Sequence, residues 1–208
     1  MSWSVSVAIP HVPLRKTYLK RALDSVLEQT VPADEVHVIA DSQHDGPAVT
    51  RNRALFASKC EFTLFLDDDD ELEPNAIERL LACARNTDAD VVYPWFTIRG
   101  QLGRSPANGQ MLYAKDPFPE MFGKEFDAAE LETRNFIPIT TLVRTDMAKN
   151  VGGIPEPGDT DWPHKTNEDW GFWRRMVRAD AKIVHLPERL WRWNIHHTEM
   201  PHYTGQTW

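Results

Sequence analysis

The densest chemistry in this 208-residue chain lies between Asp67 and Glu73, where Asp67, Asp68, Asp69, Asp70, Glu71 and Glu73 put six carboxylates into seven positions. Like charges this close repel, and at the end of an apolar segment they need a compensating cation. Hard divalent ions such as Mg²⁺ and Mn²⁺ take carboxylate oxygens, and alternate residues of an extended segment point the same way. Asp67 and Asp69 can therefore face one ion that also meets a substrate phosphate. The competing reading is an acidic helix start set for the helix dipole. It accounts for Glu71 and Glu73 but poorly for Asp67, which directly follows the apolar 61–66 stretch.

A second acidic pair, Glu168-Asp169, precedes Trp170. A carboxylate there is ionised at neutral pH and can take a proton from a hydroxyl. Thr166 stands three residues before Asp169, so a capping arrangement reads equally well from these residues alone. Near the C-terminus, Arg192 can neutralise phosphate or lie along the rings of Trp191 and Trp193. His196 and His197 can approach a metal or a diphosphate.

These groups need a scaffold, and the first half of the chain supplies a regular one. Val5, Val7 and Ile9 alternate with Ser4, Ser6 and Ala8, which predicts a strand ended by Pro10. Tyr18, Leu19, Ala22, Leu23, Val26 and Leu27 have helical spacing, closed by Thr30, Val31 and Pro32. A short strand over 36–40 is followed by a polar loop. Pro47 then opens a helix carrying Ala48, Arg51, Ala54 and Leu55. The nearly continuous apolar run 61–66 suits a strand covered on both faces. Pro74 opens a further helix with Ile77, Leu80, Leu81 and Ala84 inward, and 90–93 is a fourth strand.

Such alternation predicts an α/β fold with a mostly parallel central sheet flanked by helices. Ligands of such sheets sit at the carboxyl ends of the strands. Pro10, His11, Asp41 and the Asp67 to Asp70 run should therefore converge on one crevice.

The second half is less periodic. Residues 94–125 read as a long irregular segment, of the kind that is functional or mobile. A strand is expected over 139–143. Thr145 and Asp146 are expected to cap a short helix that Gly152 and Gly153 end. The helix after Asp169 carries Phe172, Trp173, Met176 and Val177 on one face, and 183–186 is a last strand. Trp173 has core spacing. Trp170 is the better candidate for stacking on a sugar or base, with Asn135 and Phe136 bordering the same pocket.

Composition sets the remaining bounds. Hydrophobic residues make up 41% and charged residues 26%, as in an ordinary globular chain, which argues against wholesale disorder. The net charge of −8 leaves no uniformly basic surface for nucleic acid, although Arg99, Arg104 and Lys115 can form a local groove. Cys60 and Cys83 make neither a disulfide framework nor a zinc cluster, and both read as packing residues. No apolar run reaches the length of a membrane span, and the N-terminus reads as a strand rather than a signal peptide. The expectation is a single domain over 1–208 in a reducing, cytoplasmic setting.

Taken together, the stretch Val5 to Thr30, the run Phe65-Leu66-Asp67-Asp68-Asp69-Asp70-Glu71-Leu72 and Glu168-Asp169-Trp170 resemble family 2 glycosyltransferases. The resemblance runs from about Ser4 to Met200. It implies the GT-A fold, with a nucleotide-sugar-binding half (1–93) and an acceptor-binding, catalytic half (94–208). It implies transfer of a sugar from a UDP-, GDP- or dTDP-linked donor, usually with inversion. By this resemblance Asp67-x-Asp69 is the DxD motif that holds Mn²⁺ or Mg²⁺, with Asp68 at the donor. Asp41 helps hold the nucleoside, and Pro10 and His11 match the loop beneath the base. Arg51 and Asn52 lie near the donor, His196 approaches the metal, and Asp169 is the general base with Glu168 beside it. The chain departs from the family pattern at His11-Val12-Pro13 and in the loop after Asp41, so the base is not assigned by analogy.

The acceptor class stays open among a glycan, a lipid-linked sugar, a protein, a small molecule and a modified DNA base. Two other functions compete. A sugar-phosphate nucleotidyltransferase also uses acidic metal ligands on an α/β core, but it is expected to carry a Gly-rich basic loop where this chain has His11-Val12-Pro13-Leu14-Arg15-Lys16. An inactive glycan- or nucleotide-binding module would not need both acidic motifs.

Overall fold

The computed structural model describes residues 3–104, 111–113, 124–160 and 168–195. Its first half follows the expected rhythm: β1 (Val5–His11), α1 (Lys16–Leu27), β2 (Glu35–Ala40), α2 (Pro47–Ala57), β3 (Phe62–Phe65), β4 (Glu71–Leu72) and α3 (Ala76–Thr87). The second half adds β5 (Val91–Arg104), β6 (Met111–Tyr113), α4 (Ala128–Leu131), β7 (Leu142–Arg144), α5 (Thr145–Asn150), α6 (Glu168–Arg178) and β8 (Ile183–Ile195).

One sheet runs in the order β2-β1-β3-β7-β5-β8-β4, with β6 attached to β5. By their pairings β1, β2, β3, β5 and β8 share one direction, and β4, β6 and β7 oppose them. The sheet is thus mostly parallel.

Strand alternation divides the core into two layers. Val5, Val7 and Ile9 of β1, with Phe62, Leu64 and Leu66, meet Ala22 and Val26 of α1 and Ile77, Leu80 and Leu81 of α3. Ala8 and Phe65 turn the other way, toward Leu55 of α2 and Phe172, Trp173 and Met176 of α6. Trp173 belongs to this second core, as its spacing predicts. Pro10 does not end β1, which continues to His11 beside Ala40 of β2. Proline is tolerated there because β3 pairs only as far as Ala8, so no donor is required of Pro10 on that side.

The largest departure from expectation is the 94–125 segment. Its first part is not irregular: β5 runs on to Arg104 and pairs in parallel with β8, from Val91–Ile183 to Gly100–Ile195. Register shifts on either side of Trp95 break the period of two and hide the strand from the sequence. β8 likewise extends well past Leu186. Arg99 and Arg104 lie on β5, while Lys115 falls outside the described residues.

α5 begins as placed, but neither Thr145 nor Asp146 caps it. The Thr145 hydroxyl instead joins a buried chain through Thr63 to Ser6 and Ser58, with Thr145–Thr63 at 2.9 Å. The helix ends at left-handed Gly152 and Gly153, and Gly153 N donates to Ala148 O. A Cβ at Gly153 would run into the Asn52 carboxamide oxygen. Gly153→Ala is expected to cost about 1–3 kcal/mol of stability, read from urea denaturation.

Candidate active site

The carboxyl ends of β1, β2 and β3 meet, as the parallel sheet requires. Asp41 N donates to His11 O at 2.8 Å, and His11 Nδ1 donates to Asp68 Oδ2 at 2.8 Å. Asp41 is buried and accepts from Asp45 N at 2.8 Å and Gly46 N at 3.1 Å. It thereby shapes the turn that leads into α2.

The acidic run leaves β3 in alternation. Leu66 packs toward α1 and α3, so Asp67 emerges on the α2 and α6 side and Asp68 on the α1 side. Asp68 accepts from His11, from Val12 N at 2.8 Å and from Arg15 Nη1 at 3.3 Å. It therefore fastens the loop after β1 instead of opening toward a ligand. Asp70 is also buried and accepts from Asn194 N at 2.9 Å. Asp67 and Asp69 are the two that keep solvent access, at 28% and 18% side-chain exposure. Burial and the neighbouring carboxylates of Asp67 and Asp68 push Asp69 up to about 7, against the pull of Arg15.

The rest of the run is clamped from outside. Glu71 and Leu72 form β4 against β8, and Arg192 grips Glu73 with two bonds of 2.6 and 2.8 Å. This corrects both helix-dipole assignments: Glu71 and Glu73 are tied to Arg192, and Arg192 is committed to them. Asn194 Nδ2 donates to Asp69 O at 2.8 Å. Gln29 spans Ser25 O, Glu73 O and Ile77 N, holding α1 to the turn before α3.

Arg51 carries the link between the two acidic motifs. Its side chain is 6% exposed, and Nη2 meets Asp67 Oδ1 at 2.6 Å while Nη1 meets Glu168 Oε1 at 2.7 Å. Both carboxylates raise its pKa despite the opposing cost of burial. Asn52 points elsewhere. Its amide donates to Ile154 O and Glu156 Oε1 and its oxygen accepts from Ile154 N, each at 2.8 Å. Asn52 pins the loop after α5 and does not join the crevice.

Asp169 stands at the start of α6. Its Oδ2 accepts from Asn135 Nδ2 at 2.9 Å and its Oδ1 from Trp170 N at 2.8 Å. Burial, then the Glu168 carboxylate, push it up to about 7, while Arg51 and the two donors oppose the rise. Asn135 is thus brought to the site, but against Asp169 itself, and Phe136 lies in the core. The Trp170 indole is also in the core layer, and Nε1 donates to Leu131 O at 2.6 Å. His196, His197 and Thr166 lie outside the described residues. Sequence reasoning missed Arg15 and Asn194, because nothing in their types or spacing marks them: Arg15 stands just before α1 and Asn194 on β8, and only the fold brings them to the acidic run.

A cation fits this site in one respect. Asp67 and Asp69 are accessible carboxylates held beside Asp68 and Asp70, and among the described residues Arg51 and Arg15 are the cations that meet the four of them. Among the described residues no three His, Cys, Asp or Glu side chains form a cage. Mg²⁺ commonly uses one or two carboxylates and completes its shell with substrate phosphates and water.

The architecture defines an α/β protein whose ligand crevice opens at the carboxyl edge of its sheet, lined by carboxylates and arginines. Comparison makes the class specific. The sequence model of glycosyl transferase family 2 matches residues 34–152, more than half of the chain, and the chain belongs to that family. Crystal structures of S. aureus TarS share the fold. TarS 1-349 in complex with UDP-GlcNAc superposes with a TM-score of 0.67 at 19% identity, covering 94% of this chain and 60% of that one. The complex with UDP gives 0.65 at 19% identity, covering 92% and 60%. A further TarS structure gives 0.65 at 19% identity, covering 92% and 37%. This chain therefore spans 60% or less of the length of those chains. A search of curated proteins by sequence gives no match. The fold is the GT-A type that the sequence motifs imply. No described helix is long and apolar enough to cross a membrane.

Proposed function

We propose that this chain transfers a sugar from a nucleotide-diphosphate donor to an acceptor hydroxyl, with inversion and with Asp169 as general base. Residues 1–93 form the donor half and 94–208 the acceptor half. The observation that carries the reading is the Asp67–Arg51–Glu168 bridge, which brings the two acidic motifs into one crevice.

Asp169 takes the proton from the acceptor hydroxyl, and the hydroxyl oxygen attacks the anomeric carbon. The bond from that carbon to the diphosphate oxygen breaks, and the nucleoside diphosphate leaves with the electron pair. Asp67 and Asp69, with His196 from the C-terminal segment, would hold Mn²⁺ or Mg²⁺. That ion supplies Lewis-acid stabilisation to the departing diphosphate. Asn135 orients Asp169, and Glu168, neutralised by Arg51, backs it. Asp41, Pro10 and His11 line the nucleoside end. A uridine donor is the first to test, because the TarS structures carry UDP and UDP-GlcNAc.

Product analysis tests the reading. Incubation with UDP-GlcNAc, GDP-mannose or a dTDP-sugar and Mn²⁺ is expected to release free nucleoside diphosphate, slowly onto water and faster with the right acceptor. Pyrophosphate formed from a nucleoside triphosphate and a sugar phosphate would indicate a nucleotidyltransferase instead. Release of neither, with nucleotide binding intact, would indicate a binding module.

A further inference from the structure

Arg51 is buried, ionised and shared between two carboxylates that lie far apart in sequence. Its Nε has no partner among the described residues, so its position is set by these two ion pairs and not by a wider network. A helix position of this kind reads from sequence as a contact to donor phosphate. Here both terminal nitrogens are already turned to protein carboxylates. We propose that Arg51 is a positioning residue of the base: one guanidinium holds Asp67 of the donor half and Glu168 of the acceptor half, so that Asp169 stands beside a neutralised Glu168. The proposal rests on the reading of Asp169 as base.

Glu168 and Asp169 are consecutive at the first turn of α6, and Glu168 is buried. Two adjacent carboxylates shielded from water disfavour each other's charge. The Arg51 ion pair at 2.7 Å offsets the first charge and lets the second exist. Among the described residues, the charged groups bearing on Asp169 are Glu168 on its own helix, Arg51 from α2 and, through Arg51, Asp67 after β3. Two other cations among the described residues are committed elsewhere. Arg134 pairs with Glu130, and Arg174 pairs with Glu132 beside the Trp170 ring. Asn135 contributes a neutral donor. Arg51 therefore sets how easily Asp169 becomes a base, without touching substrate.

The test reads Asp169 directly. The full chain is labelled with carboxyl-¹³C aspartate, without nucleotide or metal, and titrated; Asp169→Asn identifies the signal. Removing the cation in Arg51→Met is expected to move the Asp169 midpoint up by on the order of one pH unit. Glu168→Gln is expected to move it down by a similar amount. The double variant should return it close to wild type, as two coupled charges demand. Arg51→Lys, which keeps the charge but offers a single point contact, should shift it up by less than Arg51→Met. The acid limb of UDP-GlcNAc hydrolysis should follow the same order. An unmoved midpoint in Arg51→Met or Arg51→Lys would overturn the proposal, and so would an unmoved one in Glu168→Gln if Arg51→Met does not fold. Failure of the parent reading looks different: Asp169→Asn would then retain turnover whatever the midpoints do.

Discussion

Asp169→Asn is expected to lower turnover by about 10²–10⁴-fold, the usual contribution of a general base, with nucleotide affinity little changed. The separation follows from the layout. Asp169 sits at the start of α6 and bonds to Asn135 and its own helix, whereas the nucleotide is proposed to lie at the loops after β1, β2 and β3, which meet away from it. Wild-type turnover should fall on the acid side with a midpoint near 7, where Asp169 takes up its proton. Stability should respond with the opposite sign. A carboxyl whose pKa is raised on folding contributes stability below its unfolded pKa and loses it as pH rises through the folded value. Charging Asp169 therefore costs wild type on the order of a few kcal/mol between about pH 4 and pH 8, and the Asn variant does not incur that cost. Urea denaturation at both pH values checks this: the variant should gain on wild type at the higher pH. Equal stability differences at the two values would mean that Asp169 is not the strained group described.

The second large effect concerns the two accessible aspartates. Asp67→Asn and Asp69→Asn are each expected to abolish Mn²⁺-dependent binding of nucleotide, because each removes one of the two solvent-accessible aspartates of the run. Their effects on the fold should differ. Asp67 is a partner of the buried Arg51, so losing its charge leaves that guanidinium with Glu168 alone and should destabilise. Asp69 lies in a crowd of carboxylates that, with burial, disfavour its charge against the pull of Arg15 at 3.2 Å, so its neutralisation should leave the fold at least as stable. Calorimetric titration of UDP with and without Mn²⁺, beside thermal melts, separates the two. Metal-dependent binding that survives in both variants would remove the motif from the site.

The first half of the chain was legible in the sequence because its signals are local. Alternation in Val5, Val7 and Ile9, the apolar 61–66 run and proline at the openings of α2 and α3 each report one element. The rule that ligands gather at strand ends then places His11, Asp41 and Asp67 together. Elsewhere the information is not local. β5 and β8 support each other through a pairing whose slips at Trp95 erase the period of two. Trp170 read as a platform because its neighbours occupy the core stripe, yet its indole NH finds Leu131 O from a distant helix. Asn52 and Arg51 are adjacent on α2, and only the packing of α5 and α6 on that helix decides which faces the carboxylates and which pins a loop. Glu71 and Glu73 looked like a helix start because β4 is two residues long and exists only against β8.

On the proposed function, the crevice binds a nucleoside diphosphate through a divalent cation. The most direct measurement is thermal stability of the chain with UDP, GDP and dTDP, each with and without Mn²⁺. At ligand near a hundredfold above Kd, binding adds about 2.7 kcal/mol, or roughly 5–10 °C for a domain of this size. Such a shift is expected with one nucleotide, dependent on Mn²⁺ and absent in Asp69→Asn. No shift with any nucleotide, or a shift indifferent to both metal and Asp69, would contradict it.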